Sequence, residues 1–123
     1  QKKLAEAYGV DSRRARTLKV AAAVTISGEK VSVTSIAANA FKGMKKLEKV
    51  TIGTNVSKIG KNAFSGDSKL KSIQIKSKKL TSVGKGALKN ISAKAVIKVP
   101  KSKKKAYTSL LKGKGQKKSV KIK

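Results

Sequence analysis

The chain has 123 residues, which is enough for one domain or a short array of repeats. Its 32 Lys and Arg residues against 5 Asp and Glu residues give a formal net charge of +27, almost all of it from lysine. Lysine is a hydrated point charge and not a planar fork, so this composition favours diffuse attraction to polyanions over base-specific reading of nucleic acid. The absence of Cys, His and Trp excludes disulfides, thiol chemistry and the commonest metal ligands and general bases.

Residues 1–17 are predicted to form an N-terminal segment or cap. They contain all three arginines, and Leu4, Ala7 and Tyr8 follow a helical spacing. The segment resembles the beginning of a helix-turn-helix, but no second recognition helix follows, which favours a leftover linker or an N-terminal cap helix. Because the chain begins with Gln1 and not with methionine, it is interpreted as a fragment or processed product that a signal peptide could have preceded. No stretch of about 18 apolar residues is present, so no membrane insertion is predicted.

Residues 18–30 are predicted to form an irregular first unit of a repeat domain that spans residues 18–123. Val20, Val24 and Ile26 alternate or nearly so with other residues, and residues 27–30 are typical of a turn before the alternation resumes at Val31. This pattern predicts a hairpin or an irregular first coil.

A strand signature of two apolar residues around a single intervening residue then recurs at nearly equal intervals along the chain. Its members are Val24/Ile26, Val50/Ile52, Ile73/Ile75, Ile97/Val99 and Val120/Ile122. A near-constant step between short strands predicts stacked coils with one parallel strand in each. A single coil has about six large apolar side chains and cannot offset the entropy of ordering its own backbone, so neighbouring coils must share the core.

The other two sides of each coil carry their own repeated signals within residues 31–99. A second strand is predicted at Val33/Ile36, Val56/Ile59 and Leu80/Val83. The third side is predicted to be a short helix or 3₁₀ turn at Ala40-Phe41, Ala63-Phe64 and Ala87-Leu88, ending at Gly43, Gly66 or Asn90.

Residues 100–123 are predicted to close the stack. Pro100 ends a strand, and residues 101–112 read as a helix with Ala106, Tyr107, Leu110 and Leu111 on one face. Two glycines, Gly113 and Gly115, end that helix before a last strand over residues 119–122. A helix and strand in place of the usual coil are typical of the caps that solenoids need over their apolar ends.

The segments IAANAFKGMKKLEKVTIG and IGKNAFSGDSKLKSIQI resemble the BspA-type leucine-rich repeats, which carry an A-F pair before an L-x-x-L-x-L strand. The resemblance implies an α/β repeat fold: a short right-handed leucine-rich-repeat solenoid with one parallel strand per 23–24-residue coil and a C-terminal helix-strand cap. A cysteine frequent in that family is replaced by Met44 and Asp67, so this buried position is expected to be either altered or solvent-facing. The third unit departs further, with Leu88 for phenylalanine and Lys94 at the first strand position.

What the resemblance implies about function is a secreted or cell-wall-associated bacterial protein engaged in adhesion and protein binding. That family has no shared catalytic site, so no catalytic, metal-binding or cofactor-binding residue is assigned, no cofactor is expected, and the chain is predicted not to be an enzyme. The few acidic residues, without His or Cys, support the same expectation.

The candidate binding face consists of the residues that lie between paired core residues, because alternate side chains of a strand point to opposite sides. These are Thr25, Thr51, Gln74, Lys98 and Lys121, flanked by Lys49 and Lys76. In this register the face changes from neutral to cationic toward the C-terminus.

Two interpretations of the lysines follow. One is a docking face for a host or bacterial surface protein, or for an anionic wall polymer or glycan such as teichoic acid. The alternative is charge-driven binding of polyanions, including non-specific binding of nucleic acid, through the lysines of residues 101–118. Each single lysine also has a simpler interpretation as part of the solvated coat of a small solenoid.

Overall fold

The computed structural model describes residues 15–123, with backbone alone at Val24 and Ile26. Its largest element is a five-stranded sheet, called here the main sheet, in which every neighbouring pair of strands is parallel. The strands, in spatial order, are β1 (Thr17–Val20), β5 (Lys49–Ile52), β7 (Ser72–Ile75), β9 (Val96–Lys98) and β10 (Lys121–Ile122). Val50 aligns with Ile73 and Ile73 with Ile97, so the repeated apolar position returns once in each coil. The predicted solenoid, with one parallel strand per coil, is therefore confirmed.

The first strand of the main sheet is not the predicted one. Val24 and Ile26 belong to β2 (Ala23–Ile26), which pairs antiparallel with β3 (Glu29–Ser32) in a separate hairpin. Ser27 and Gly28 connect these two strands with φ values of 53° and 81°. A two-residue turn with both φ values positive reverses the chain and matches the twist of a hairpin. β2 therefore pairs with β3 and not with a strand of the main sheet.

β1 occupies the place in the main sheet that was predicted for Val24 and Ile26. Leu18 and Val20 align with Val50 and Ile52 and are buried like them. The segment Leu18-Lys19-Val20 has the same apolar alternation as the predicted pair. The connection from β1 to β5 is longer than that of a regular coil because the hairpin is inserted between them.

The last strand is displaced by two residues from the predicted register. Ile97 aligns with Ile122 and not with Val120, and the amide of Lys123 donates to the carbonyl of Ile97 at 2.7 Å. The closing coil contains a helix and is correspondingly longer than predicted. Val120 lies just before β10 and is half-buried.

The second side of the coils is a three-stranded parallel sheet, called here the second sheet. It contains β4 (Ser35–Ile36), β6 (Lys58–Ile59) and β8 (Ser82–Val83) in that order. Ile36, Ile59 and Val83 are aligned and buried, as their spacing predicts.

The third side consists of consecutive turns instead of the predicted short helix. In each turn two residues four positions apart have positive φ: Asn39 and Gly43, then Asn62 and Gly66, then Gly86 and Asn90. Asn and Gly are the residues that adopt this left-handed conformation most easily, which explains why the sequence exchanges them between coils. The turns are joined by hydrogen bonds such as Phe41 N–H to Ala63 O at 2.9 Å.

Phenylalanine side chains connect the same turns inside the core. The rings of Phe41 and Phe64 lie 5.7 Å apart with an interplanar angle of 16°, and both are buried. Leu88 continues this column in the third coil and is also buried. Stacked rings at this distance add about 0.5–1.5 kcal/mol to what burial alone supplies.

The position that was expected to be either altered or solvent-facing is altered and buried. Met44 is 1% exposed and Asp67 is 0% exposed. The side chain of Asp67 accepts a hydrogen bond from the backbone of the preceding coil, so an acidic side chain occupies a core position without facing solvent.

The closing coil contains a 3₁₀ turn (Lys101–Lys103) followed by helix α1 (Lys104–Leu111). Tyr107 and Leu111 are buried and Leu110 is partly buried against the core, whereas Ala106 is exposed, so its predicted place on the core face is wrong. The Tyr107 hydroxyl donates to the carbonyl of Ser77 at 2.8 Å and accepts from the amide of Leu80 at 3.0 Å. Gly113 and Gly115 follow the helix with positive φ, as expected of residues that end it.

Candidate binding surfaces

The outward side of the main sheet presents side chains in rows that run across the coils. The first row, called here the outer row, is Lys19, Thr51, Gln74 and Lys98, which the strand register aligns one after another. Lys19 takes the place that was predicted for Thr25. The row is therefore cationic at both ends and neutral in the middle, and the predicted change from neutral to cationic along the stack is wrong.

A second row lies beside the first on the same side of the sheet. It consists of Thr17, Lys49, Ser72, Val96 and Lys121. Lys49 and Lys121 are exposed here, whereas Val96 is half-buried. Lys121 was predicted to lie in line with Lys98; the two-residue displacement of β10 aligns it with Val96 instead, one row away.

The two remaining predicted residues are placed differently from each other. Thr25 is exposed in the hairpin opposite Lys30, outside the main sheet. Lys76 directly follows β7 and is exposed, and its amide donates to the carbonyl of Ile52 at 2.9 Å. It lines a shallow groove of about 290 Å³ together with Lys19 and Thr51, so it belongs to the outward side of the main sheet.

One carboxylate lies at the edge of this side, where the strands begin. Glu48 is 3.6 Å from the guanidinium of Arg16 on one neighbouring coil and 3.8 Å from the ammonium of Lys71 on the other. Partly exposed ion pairs of this kind contribute about 0–1 kcal/mol each. Within residues 15–123, Lys49, Lys98 and Lys121 have no carboxylate at ion-pair distance, so their charge is available to a ligand.

A second surface was not predicted from the sequence. A polar groove of about 470 Å³ opens beside the second sheet, where residues from three successive coils meet. Its lining residues are Ser32, Thr34, Ser35, Asn55, Ser57, Lys58 and Lys79. A signal for it does exist in the chain: the lining residues Thr34 and Ser57 each follow the first apolar residue of the second-side signature in successive coils.

Two hydroxyl side chains on the second side, Ser57 in the groove and Thr81 in the next coil, are tied to the backbone of the preceding coil. Ser57 donates through Oγ to the carbonyl of Thr34 at 3.2 Å, and Thr81 donates in the same way to the carbonyl of Ser57 at 3.2 Å. These bonds fix the spacing of the coils along one side of the groove.

Neither surface has the groups of a metal centre, since the described part of the chain contains no cluster of three His, Cys, Asp or Glu side chains. Among residues 15–123, no helix combines the length and the apolar character that crossing a bilayer requires.

Two crystal structures resemble the fold. One, from Faecalibacterium prausnitzii A2-165, is described as a leucine-rich cell surface protein; it matches with a TM-score of 0.58 and 21% identity over 72% of this chain. The other, a leucine-rich repeat protein from Bacteroides ovatus ATCC 8483, matches with a TM-score of 0.51 and 23% identity over 70% of this chain. This chain spans 30% of the length of each. At these identities the likeness shows the fold.

Among curated proteins, none matches this chain significantly. The family model of the BspA type leucine rich repeat region matches residues 22–123 with six copies, which is most of the chain. The matched residues contain the A-F turns and the parallel strands β5, β7, β9 and β10 of the main sheet. The chain belongs to the BspA-type leucine-rich-repeat family.

Proposed function

We propose that this chain is a non-catalytic interaction module of a secreted or cell-wall-associated bacterial protein. It binds a surface protein or an anionic wall polymer or glycan through the outward side of the main sheet. Leucine-rich repeats generally serve as interaction folds, and one structural relative is described as a cell surface protein. The observation that carries the proposal is the pair of aligned rows, in which no carboxylate of the described chain lies at ion-pair distance from the exposed Lys49, Lys98 and Lys121.

The residues that bear the proposal are Lys49, Lys76, Lys98 and Lys121, with Thr51 and Gln74 between the cations as neutral hydrogen-bonding groups. A parallel sheet holds the Cα atoms of these residues at fixed intervals, so the positions from which the side chains extend are evenly spaced. An evenly spaced array of cations and neutral polar groups suits an extended ligand with repeated anionic groups or an acidic protein surface.

The test compares the double variant Lys98→Glu/Lys121→Glu with wild type for binding to heparin, teichoic acid and duplex DNA. A matched control is Lys61→Glu/Lys85→Glu, which changes the charge equally at lysines on the turn side. Binding is measured at about 0.01 M and about 1 M NaCl, between which the Debye length falls from about 30 Å to about 3 Å. Binding to one ligand that persists at high salt and is lost only in the main-sheet variant supports the proposal.

The second candidate function is charge-driven binding of polyanions. It is favoured by one observation: all five acidic residues occur at or before position 67, so lysine is the only charged residue type in the part of the chain that contains α1. In that case binding to all three ligands falls steeply with salt, and the two double variants lose affinity equally.

A further inference from the structure

The polar groove beside the second sheet contains an exposed lysine, Lys79, whose ammonium group donates a hydrogen bond to an anchored amide side chain. The side chain of Asn55 donates from Nδ2 to the carbonyl of Ala22 at 3.0 Å, which anchors the amide. Its Oδ1 accepts from Nζ of Lys79 at 3.2 Å. Since a lysine ammonium has three donors, two N–H groups of Lys79 remain for a ligand.

The backbone of Lys79 is also anchored. Its amide donates to Oγ of Ser77 at 3.0 Å, and that hydroxyl, which is fully buried, donates to the carbonyl of Val56 at 2.5 Å. Most surface lysines lose considerable rotamer entropy when they bind a ligand. A lysine held at both its backbone and its ammonium loses less, which favours binding at this position over the other lysines of the surface.

The rest of the groove complements an anion with hydrogen-bonding substituents. Lys58 supplies a second cation, and the hydroxyls of Ser32, Thr34 and Ser35 make no hydrogen bond within the described part of the chain. None of the lining residues is acidic, so nothing in the groove repels an anion. None is aromatic either, so the stacking surface that neutral sugars commonly use is missing and charge must supply the attraction.

We propose that this groove binds a sulfate or phosphate ester carried on a polyhydroxyl chain, with the ester group between Lys58 and Lys79 and the neighbouring hydroxyls of the ligand against Ser32, Thr34 and Ser35. Lys79 and Lys58 contact the ligand. Asn55 is a positioning residue that acts through Lys79. The site lies beside a different sheet from the rows of the main sheet, so it is independent of the function proposed above.

The experiment maps backbone amide shifts of the isotope-labelled protein on titration with a sulfated heparin tetrasaccharide, its desulfated form and a short poly(glycerol phosphate). The titrations are made at about 0.15 M NaCl, where the Debye length of about 8 Å weakens diffuse attraction. We expect shifts concentrated in residues 32–35, 55–58 and 77–80 with at least one of the two anionic probes, and none with the desulfated form. Which anionic probe binds more tightly distinguishes sulfate from phosphate as the source.

Matched variants then test the assignment. Lys79→Gln should lower the affinity about tenfold, whereas Lys78→Gln, the same change at the exposed neighbour outside the groove, should lower it less than about twofold. Asn55→Ala should weaken binding in the wild type and have no further effect in the Lys79→Gln background, which a merely structural role would not produce. The main-sheet variant Lys98→Glu/Lys121→Glu should keep the groove signals, so the two proposals can fail separately.

Equal losses in the Lys78 and Lys79 variants would overturn the proposal, as would shifts spread over lysines throughout the chain. Absence of any shift with both anionic probes would do the same. If duplex DNA causes the same groove shifts and binds with higher affinity than either anionic probe, the groove is assigned to nucleic acid and the proposal is overturned.

Discussion

The backbone amide of Met44 donates a hydrogen bond of 2.6 Å to Oδ1 of Asp67, a residue in the next coil whose side chain is fully buried. The two residues occupy the same position of successive coils. The carboxylate therefore serves as an acceptor for a backbone donor that the turn of the preceding coil leaves inside the core. This explains how an acidic residue is accommodated among Leu, Ile and Phe side chains.

Removal of this acceptor should destabilise the stack. Asp67→Ala leaves the buried amide of Met44 without its carboxylate partner, and an unsatisfied buried donor costs about 1–3 kcal/mol. Asp67→Asn retains an oxygen in the same place and is expected to lose less. Denaturant unfolding of the three proteins measures this order. An Ala variant as stable as wild type would mean that the hydrogen bond contributes nothing.

The hydroxyl of Tyr107 should stabilise the closing coil. Tyr107→Phe keeps the ring in the core but removes the group that joins the Ser77 carbonyl to the Leu80 amide, for an expected loss of about 1–3 kcal/mol. Thr108→Ala is the control, because Thr108 is exposed and bonds only within the helix; it should change stability by less than about 0.5 kcal/mol. Thermal melting followed by circular dichroism compares the two. Similar losses in both would assign the effect to the helix itself.

Gly60 should not tolerate a side chain. A Cβ at this position would lie 2.6 Å from the carbonyl carbon of Ala37 in the preceding coil, so the backbones would have to separate. We expect Gly60→Ala to lower the free energy of unfolding by about 3 kcal/mol or more, which is the upper end of the range seen for overpacked cores. Gly43→Ala is the control: its Cβ meets no atom within 4 Å, and its φ of 72° alone imposes a cost of about 1–2 kcal/mol.

The aligned position of the first coil supports this expectation. Ala37 occupies it, and β4, which it follows, is the edge strand of the second sheet, with no strand of that sheet stacked before it. Gly84 occupies it in the third coil, where a Cβ would again meet the backbone of the preceding coil. Unfolding free energies of Gly60→Ala and Gly43→Ala that come out equal would contradict the argument from close backbone approach.

Added salt should raise the melting temperature. The chain carries a formal net charge of +27, with 32 Lys and Arg residues against 5 Asp and Glu residues, so most of its cations have no acidic side chain to pair with. Repulsion between lysines on adjacent coils therefore outweighs the attraction between opposite charges. Adjacent strands lie about 4.8 Å apart, which is within the Debye length of about 10 Å at 0.1 M NaCl but beyond the length of about 3 Å at 1 M, so added salt weakens this repulsion. Differential scanning calorimetry over a NaCl series measures this. A melting temperature that falls with salt would contradict the prediction.

The ion pairs of Glu48 can be separated from the net charge. Glu48→Gln removes both pairs and is expected to cost up to about 1 kcal/mol at low salt and less at high salt. Glu29→Gln makes the same change of charge at an exposed hairpin residue that forms no ion pair in the described chain. Its effect on stability should be smaller at low salt, and the two variants should converge as salt is added.

The middle coils could be predicted from the sequence because every level of the pattern agrees there. Val50, Ile73 and Ile97 recur with the same neighbours, and the A-F turns fix their phase. At the C-terminal end no A-F turn precedes the last strand, so the sequence lacks the feature that fixes the strand register elsewhere. Because a displacement of two residues keeps every side chain of a strand on the same side, the alternation of Val120 and Ile122 did not determine which of them pairs with Ile97.

The prediction of the first strand, at the N-terminal end, was wrong for a related reason. Leu18/Val20 and Val24/Ile26 have equivalent alternation, and only the two-residue turn at Ser27 and Gly28 decides which pair joins the sheet. The periodic recurrence of Thr34 and Ser57 did not predict the groove beside the second sheet, because periodicity does not show that polar residues of three coils enclose a common space. Whether Asn55 contacts Lys79 depends on the distance between coils, which the sequence pattern does not contain.

The bond between Tyr107 and the loop of Ser77 and Leu80 makes the two ends of the solenoid open differently. A repeat array loses structure from its ends inward, because an end coil has a neighbour on one side only. At the C-terminal end β10 pairs through two residues and separates first, yet the next coil remains fastened by a buried tyrosine. We therefore expect fraying from this end to stop at α1, so that the amides of the coil that contains Ser77 and Leu80 exchange with solvent more slowly than those of β10.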